Sequence, residues 1–298
     1  MLPVNKHFCF CTFAASKVYR SLARELAKDL EKYSPGTTFI IFTDNPSEFS
    51  NYSNVLVFKH KRQGVLYYHE RRFAIAKALS MFNSCIYLDA DVRICAPVPE
   101  DMQWLPGITA RSCTTMVKHL QGLIKKTDPP RPNVIKLFEF IKKMGRKLDL
   151  DAESDQVTFI NEFLFVVTRD AGKEVEFLKQ WEKLALYAEV NGYHKHPGYA
   201  MGLAAAKVGF PVRHNVMEGI DFFDDRIERV RIAKGLSDPK AKQVYFETQR
   251  RIENPQLSIP EKVMMKASKF IEYYYHLIRL IITTTLKTRG HGDTGIRG

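Results

Sequence analysis

The chain has 298 residues, 45% hydrophobic and 26% charged. That excludes a disordered polypeptide and leaves length for the core of one large domain or two small ones. Forty-five Lys and Arg against thirty-three Asp and Glu give a net charge of +12, which favours anionic partners: nucleic acid, acidic membrane or phosphorylated small molecules. Every window of about 20 residues carries charge, so no spanning helix is expected. Residues 270–286 come closest but hold Glu272, His276 and Arg279. Met1–Lys6 has the pattern of neither a secretory signal nor a membrane anchor. Cys9, Cys11, Cys85, Cys95 and Cys113 form no C-x-x-C pair. Several sit in apolar runs, so buried free thiols in a reducing compartment are expected rather than zinc ligands.

In chain order, residues 7–13 (HFCFCTF) read as a buried strand. Ser16 is placed to cap a helix carrying Val18, Leu22, Leu26 and Leu30 on one face, stopped by Pro35-Gly36. Residues 38–43 and 54–58 give two further short strands. Strand, helix, strand at this spacing is a βαβ unit and calls for a parallel sheet with helices on its faces. A helix over 69–82 and a strand over 85–88 follow. Residues 118–147 read as a basic insertion, partly a mobile loop around Pro129, Pro130 and Pro132, and then a short helix. Residues 159–168 read as one strand, 172–188 and 199–208 as helices, and 210–214 as a short strand. The polar segment from Asp221 leads to a last helix, about 261–287. Its stripe of Phe270, Tyr274, Leu277, Ile278 and Ile281 is expected to pack on the core with a solvated basic edge; the alternatives are an apolar face inserted in an anionic membrane with lysines around it, or packing on a second subunit. The tail 290–298 reads as disordered. The domain reading is therefore an α/β unit over 1–220 with its insertion at about 118–150, a helical extension over 221–289, and the tail.

Asp89-Ala90-Asp91 directly follows an apolar strand, which puts both acids at the carboxyl edge of a parallel sheet, where open α/β sheets bind ligands. Two such carboxylates repel each other when ionised. A hard divalent cation, Mn²⁺ or Mg²⁺, relieves that repulsion and leaves coordination positions for phosphate oxygens.

Residues 72–79 (RFAIAKAL) followed by 86–92 (IYLDADV) resemble the DxD region of GT-A glycosyltransferases. Thr12-Phe13-Ala14-Ala15 with Tyr19, and Phe42-Thr43-Asp44-Asn45-Pro46, resemble the opening of the retaining blood-group and α1,3-galactosyltransferase family. The chain resembles the glycogenin-like retaining family equally. In order and spacing the resemblance spans about 7–215. It implies a GT-A-like α/β fold, with a mostly parallel central sheet flanked by helices and a helical C-terminal extension. It also implies a UDP-sugar donor and a hydroxyl acceptor (glycan, lipid-linked or protein); the expected free thiols and the basic last helix add the expectation of a cytoplasmic protein, either free or peripheral at the inner face of a membrane.

Carried over residue by residue, the resemblance puts Phe13, Ala14 and Tyr19 near uracil and Asp44 on the nucleotide side. Asp89 faces ribose or sugar, Asp91 binds the metal, and Arg72 and Lys77 reach the donor's phosphate or sugar. His214 stands where a late histidine serves as third metal ligand, with Glu218 and Asp221 as alternatives. Glu162, beside Asn161, stands on the acceptor-side strand. The acidic pair that inverting members carry before the helix near Tyr199 is replaced by His194-Lys195-His196-Pro197-Gly198. That favours retention, with His194 or His196 hydrogen-bonding donor or acceptor. A nucleotidyltransferase using the same acids is the alternative enzyme, but residues 11–15 lack the glycines of a phosphate loop. A basic scaffold or membrane-surface binding protein is the non-catalytic alternative. Nucleic acid is not expected, because the basic insertion has few interleaved aromatic residues.

Overall fold

The structure is a computed structural model describing residues 7–290, with side chains to 284. Met1–Lys6 and, apart from Gly290, the tail expected to be disordered lie outside the described residues. The elements are β1 (Phe8–Phe13), α1 (Ser16–Tyr33), β2 (Phe39–Thr43), β3 (Val55–Lys59), α2 (Arg71–Met81), β4 (Ser84–Leu88), β5 (Arg93–Ile94), β6 (Gly107–Ala110), β7 (Cys113–Thr115), α3 (Met116–Ile124), α4 (Pro132–Arg146), β8 (Thr158–Ile160), β9 (Leu164–Thr168), α5 (Lys173–Val190), α6 (Pro197–Lys207), β10 (Val212–His214), β11 (Phe222–Phe223), α7 (Asp225–Ala233), α8 (Gln243–Glu253) and α9 (Ile259–Gly290).

The fold is α/β. A seven-stranded sheet in the order β10-β6-β9-β4-β1-β2-β3 carries helices on both faces. β1 pairs in parallel with β2 and β4, β2 with β3, and β10 with β6; only β9 runs antiparallel, between β4 and β6. Side chains alternate across the sheet. Cys9, Cys11, Cys85 and Tyr87 join the core under α2, α5 and α6, while Phe8, Phe10, Ile86 and Leu88 join the one under α1. Burial on both faces is why these strands read as unbroken apolar runs. The five cysteines are free thiols, and Cys9, Cys11 and Cys85 are buried.

Several expectations are corrected. Residues 159–168 are two strands, β8 and β9, broken at Asn161–Phe163. β8 pairs with β7 and β9 with the main sheet, so the chain changes sheet at the break. The basic insertion is two helices. In α4, Val134, Leu137, Phe140, Ile141 and Met144 recur at helical spacing and are buried, so amphipathic packing overrides the proline-rich lead-in. The polar segment after Asp221 packs closely at its start: β11 pairs with β5, and Tyr245 of α8 stacks on Phe223. The stripe on α9 does not enter the core. Phe270, Tyr274, Ile278 and Ile281 are exposed, and the helix meets the domain through Tyr273, Arg279 and the buried Leu280. No helix among the described residues is long and apolar enough to cross a membrane.

Candidate functional site

Because β1 and β4 are parallel neighbours, with Cys11 opposite Tyr87, their carboxyl ends open side by side. Because β9 runs antiparallel to β4, with Leu88 opposite Leu164, the break before β9 meets the same edge. The Asp89 amide donates to the Phe163 carbonyl at 2.9 Å. This junction floors a cavity of 480 Å³ whose lining includes Phe13, Tyr19, Tyr67, Tyr68, Arg71, Asp89, Asp91, Glu162, Lys195, Asp224 and Arg226.

Arg71, at the start of α2, organises the floor. Its Nη1 lies 3.1 Å from Asp89 Oδ1 and donates to the Glu162 carbonyl at 2.9 Å; its Nε donates to the Tyr68 carbonyl at 2.9 Å. The Tyr87 hydroxyl donates to the same Asp89 oxygen at 3.3 Å. Burial alone would lower the Arg71 pKa, yet Asp89, Tyr87, Glu162 and Asp91 around it hold it above its ordinary value. Asp89 is thus anchored through one oxygen, leaving the other for a ligand.

Among the described residues no arginine pairs with Asp91, and Arg226 only partly opposes the rise of its pKa. Burial, then the charges of Asp89 and Asp224, push it up to about 7. Asp224 caps α7, accepting the Ile227 amide at 2.9 Å, and is itself raised by burial. Arg226 lies 3.9 Å from Asp224 with its side chain largely exposed. Glu162 is raised by burial, with Arg71 opposing; its Oε1 accepts the Gly198 amide at the start of α6 at 3.3 Å. Burial and the charge of Asp91 raise the Tyr19 phenol to about 12. The cavity is therefore an acidic floor under a wall of aromatic rings, with Lys195 and Arg226 among its lining.

Of the residues singled out from sequence, Asp89, Asp91, Glu162, Phe13 and Tyr19 line this cavity. Others do not. Ala14 is fully buried, its amide bonded to the Phe42 carbonyl. Asp44 is occupied holding the start of α1, accepting from the Ser16 amide at 3.1 Å and Arg20 at 2.6 Å. Arg72 points away, donating to the His69 carbonyl and lying over the Phe73 ring; a rotation of about 100° per helical residue separates it from Arg71. Lys77 lies over the Phe58 ring, outside the cavity. His196 packs edge-on against Tyr199, and its neighbour Lys195 reaches the cavity instead. His194 is buried between Glu189, at 2.6 Å, and Tyr273, at 3.1 Å.

His214 is misplaced for a metal ligand. It ends the edge strand β10, and β6 and β9 separate that strand from β4. Three strand spacings amount to about 14 Å. It lines another hollow with Trp104 and Glu218, while Asp221 pairs with Lys242 at 3.5 Å. Among the described residues, no three His, Cys, Asp or Glu side chains form a metal-holding group.

Sequence reasoning missed Arg71, Tyr67, Tyr68, Lys195, Asp224 and Arg226. For Asp224 a signal existed, since an Asp before an amphipathic run is a helix-start pattern. For Arg71 the signal was present, but the helical phase was not.

No protein-family model matches the chain, and no curated protein matches it.

Proposed function

We propose that this chain is a GT-A-like, metal-dependent glycosyltransferase that moves a sugar from a UDP-sugar to a hydroxyl acceptor, with retention. The observation that carries the reading is the carboxylate pair at the carboxyl edge of β4. Asp91 is pushed up to about 7 by burial and by Asp89 and Asp224, with Arg226 only partly opposing the rise. Such an imbalance fits a divalent cation. Asp91 and the second oxygen of Asp89 would hold it, with diphosphate oxygens and water filling the remaining positions, as Mg²⁺ and Mn²⁺ sites allow. When bound, the metal neutralises charge developing on the departing diphosphate.

The chain's own residues supply the rest. Arg71 fixes Asp89 and thereby the geometry of the floor. Phe13, Tyr19 and Tyr67 offer ring faces to a nucleobase. Lys195 and Arg226 offer cations to a diphosphate. Glu162 uses Oε1 on the Gly198 amide and keeps Oε2 for an acceptor hydroxyl. The turn 194–198 contains no carboxylate, which supports retention, where the leaving diphosphate takes the acceptor proton on the same face.

The test is a panel of UDP-sugars incubated with the chain and Mn²⁺, read as UDP release without added acceptor. Slow hydrolysis of one donor, lost in Asp91→Ala, is expected. Release of inorganic pyrophosphate from a nucleoside triphosphate and sugar phosphate, with every UDP-sugar left intact, would overturn the reading in favour of a nucleotidyltransferase.

A further inference from the structure

The last helix presents a surface unlike the rest of the molecule. At about 100° per residue, Val263, Met264, Phe270, Ile271, Ile278 and Ile282 fall on one side of α9. They are 62%, 69%, 64%, 67%, 55% and 52% exposed. From Val263 to Ile282 the stripe runs about 30 Å at ~1.5 Å per residue. No charged side chain interrupts it, and Tyr274 and Tyr275, both exposed, lie within it. An exposed apolar patch of this size marks an interaction surface. Lys266 borders the stripe, while Lys262 and Lys269 fall on the polar side of the helix, close in angle to Leu280 and Tyr273. Glu272 lies on the domain-facing side, paired with Arg62 at 3.3 Å.

The opposite side of α9 is fixed to the domain. Arg279 donates to the Arg62 carbonyl at 2.8 Å and to the Gln63 carbonyl, and the Tyr273 hydroxyl meets His194 at 3.1 Å. The loop that Arg279 grips continues into Leu66, Tyr67 and Tyr68, which line the cavity. The outward side of α9 is therefore held in a set orientation beside the cavity wall.

We propose that α9 is a membrane-surface helix that seats this apolar stripe in an anionic lipid bilayer. Charge complementarity selects this occupant. The three lysines, one bordering the stripe and two on the polar side, and the net charge of +12 both favour an anionic surface, and an apolar face backed by a basic polar face is the pattern of interfacial helices. Tyrosines belong at that interface. Docking would bring the cavity wall next to the bilayer. The inference does not depend on what the cavity binds.

The experiment is co-sedimentation of the full chain with phosphatidylglycerol-containing vesicles and with pure phosphatidylcholine vesicles, alongside its oligomeric state by light scattering. Binding to the anionic vesicles only, weakened by salt, is expected. Replacing Lys266, which borders the stripe, with Gln should weaken binding about fivefold. The double variant Ile271→Glu, Ile278→Glu should abolish it while leaving thermal unfolding unchanged, since both side chains are exposed. Absence of binding to anionic vesicles would overturn the proposal. So would a stable dimer that the same double variant dissociates, which would assign the stripe to a second copy of the chain.

Discussion

Removing the charge of Asp91 should stabilise the protein in a pH-dependent way. In the fold this carboxyl titrates at about 7, against an ordinary 3.8. Below the lower value both folded and unfolded chains hold the proton, and no penalty exists. Between the two values the folded state holds more proton than the unfolded one, so stability falls as pH rises. Above the upper value the penalty is complete. At ~1.4 kcal/mol per pH unit the gap corresponds to roughly 4 kcal/mol. Asp89 shares this energy and water at the cavity mouth screens it, so roughly 1–3 kcal/mol is expected in practice. Asp91→Asn should therefore resist urea better than the parent near pH 8 and equally near pH 4. Adding Mn²⁺ near pH 8 should close the gap from the parent's side. A variant that is less stable near pH 8, or a difference flat across pH, would refute the reasoning.

Other consequences follow from the same geometry. Arg71→Met leaves Asp89 without its buried partner and should cost roughly 3–5 kcal/mol in chemical denaturation; a loss below about 1 kcal/mol would mean that Arg71 does not organise the floor. A Cβ at Gly202 would run into the Thr158 carbonyl, so Gly202→Ala should destabilise by roughly 1–3 kcal/mol or more, read as a lowered Tm. Burial and the nearby arginines lower His69 to about 3, and it accepts a hydrogen bond from Trp181 at 3.2 Å. Its ring signals in NMR should stay those of neutral imidazole as pH falls below its ordinary value. The unfolded chain gains that proton in the same window, so His69 costs stability as pH falls from about 6.5 towards 3. His214→Ala should leave the affinity for Mn²⁺ with UDP within about twofold of the parent, because two strands separate it from the acidic edge; a tenfold loss by titration calorimetry would restore it as a ligand.

The sheet's first half was legible because β1, α1, β2 and β4 carry long, consistent patterns, and the acidic pair follows β4 without a gap. The antiparallel β9 was not, since an apolar run buried on both faces carries no mark of direction. Its direction brings Glu162 to Asp89, so part of the site depended on information that pattern alone does not hold. The same limit separated Arg71 from Arg72, adjacent residues whose roles are fixed by where α2 begins. Asp224 and Arg226 come from a segment more than 130 residues beyond the acidic pair (224 − 91 = 133). The pairing of β11 with β5, two residues after Asp91, and the Cys95 amide's bond to the Asp221 carbonyl bring them back. The α9 stripe was correctly seen as apolar and wrongly expected to be covered, because periodicity shows that a face exists but not what meets it.

Titration calorimetry with UDP, in the presence and absence of Mn²⁺, tests the central claim most directly. Heat of binding that requires the metal in the parent chain and vanishes in Asp91→Asn is expected. Metal-independent binding of UDP, or undiminished metal-dependent binding in that variant, would contradict the assignment of the acidic edge.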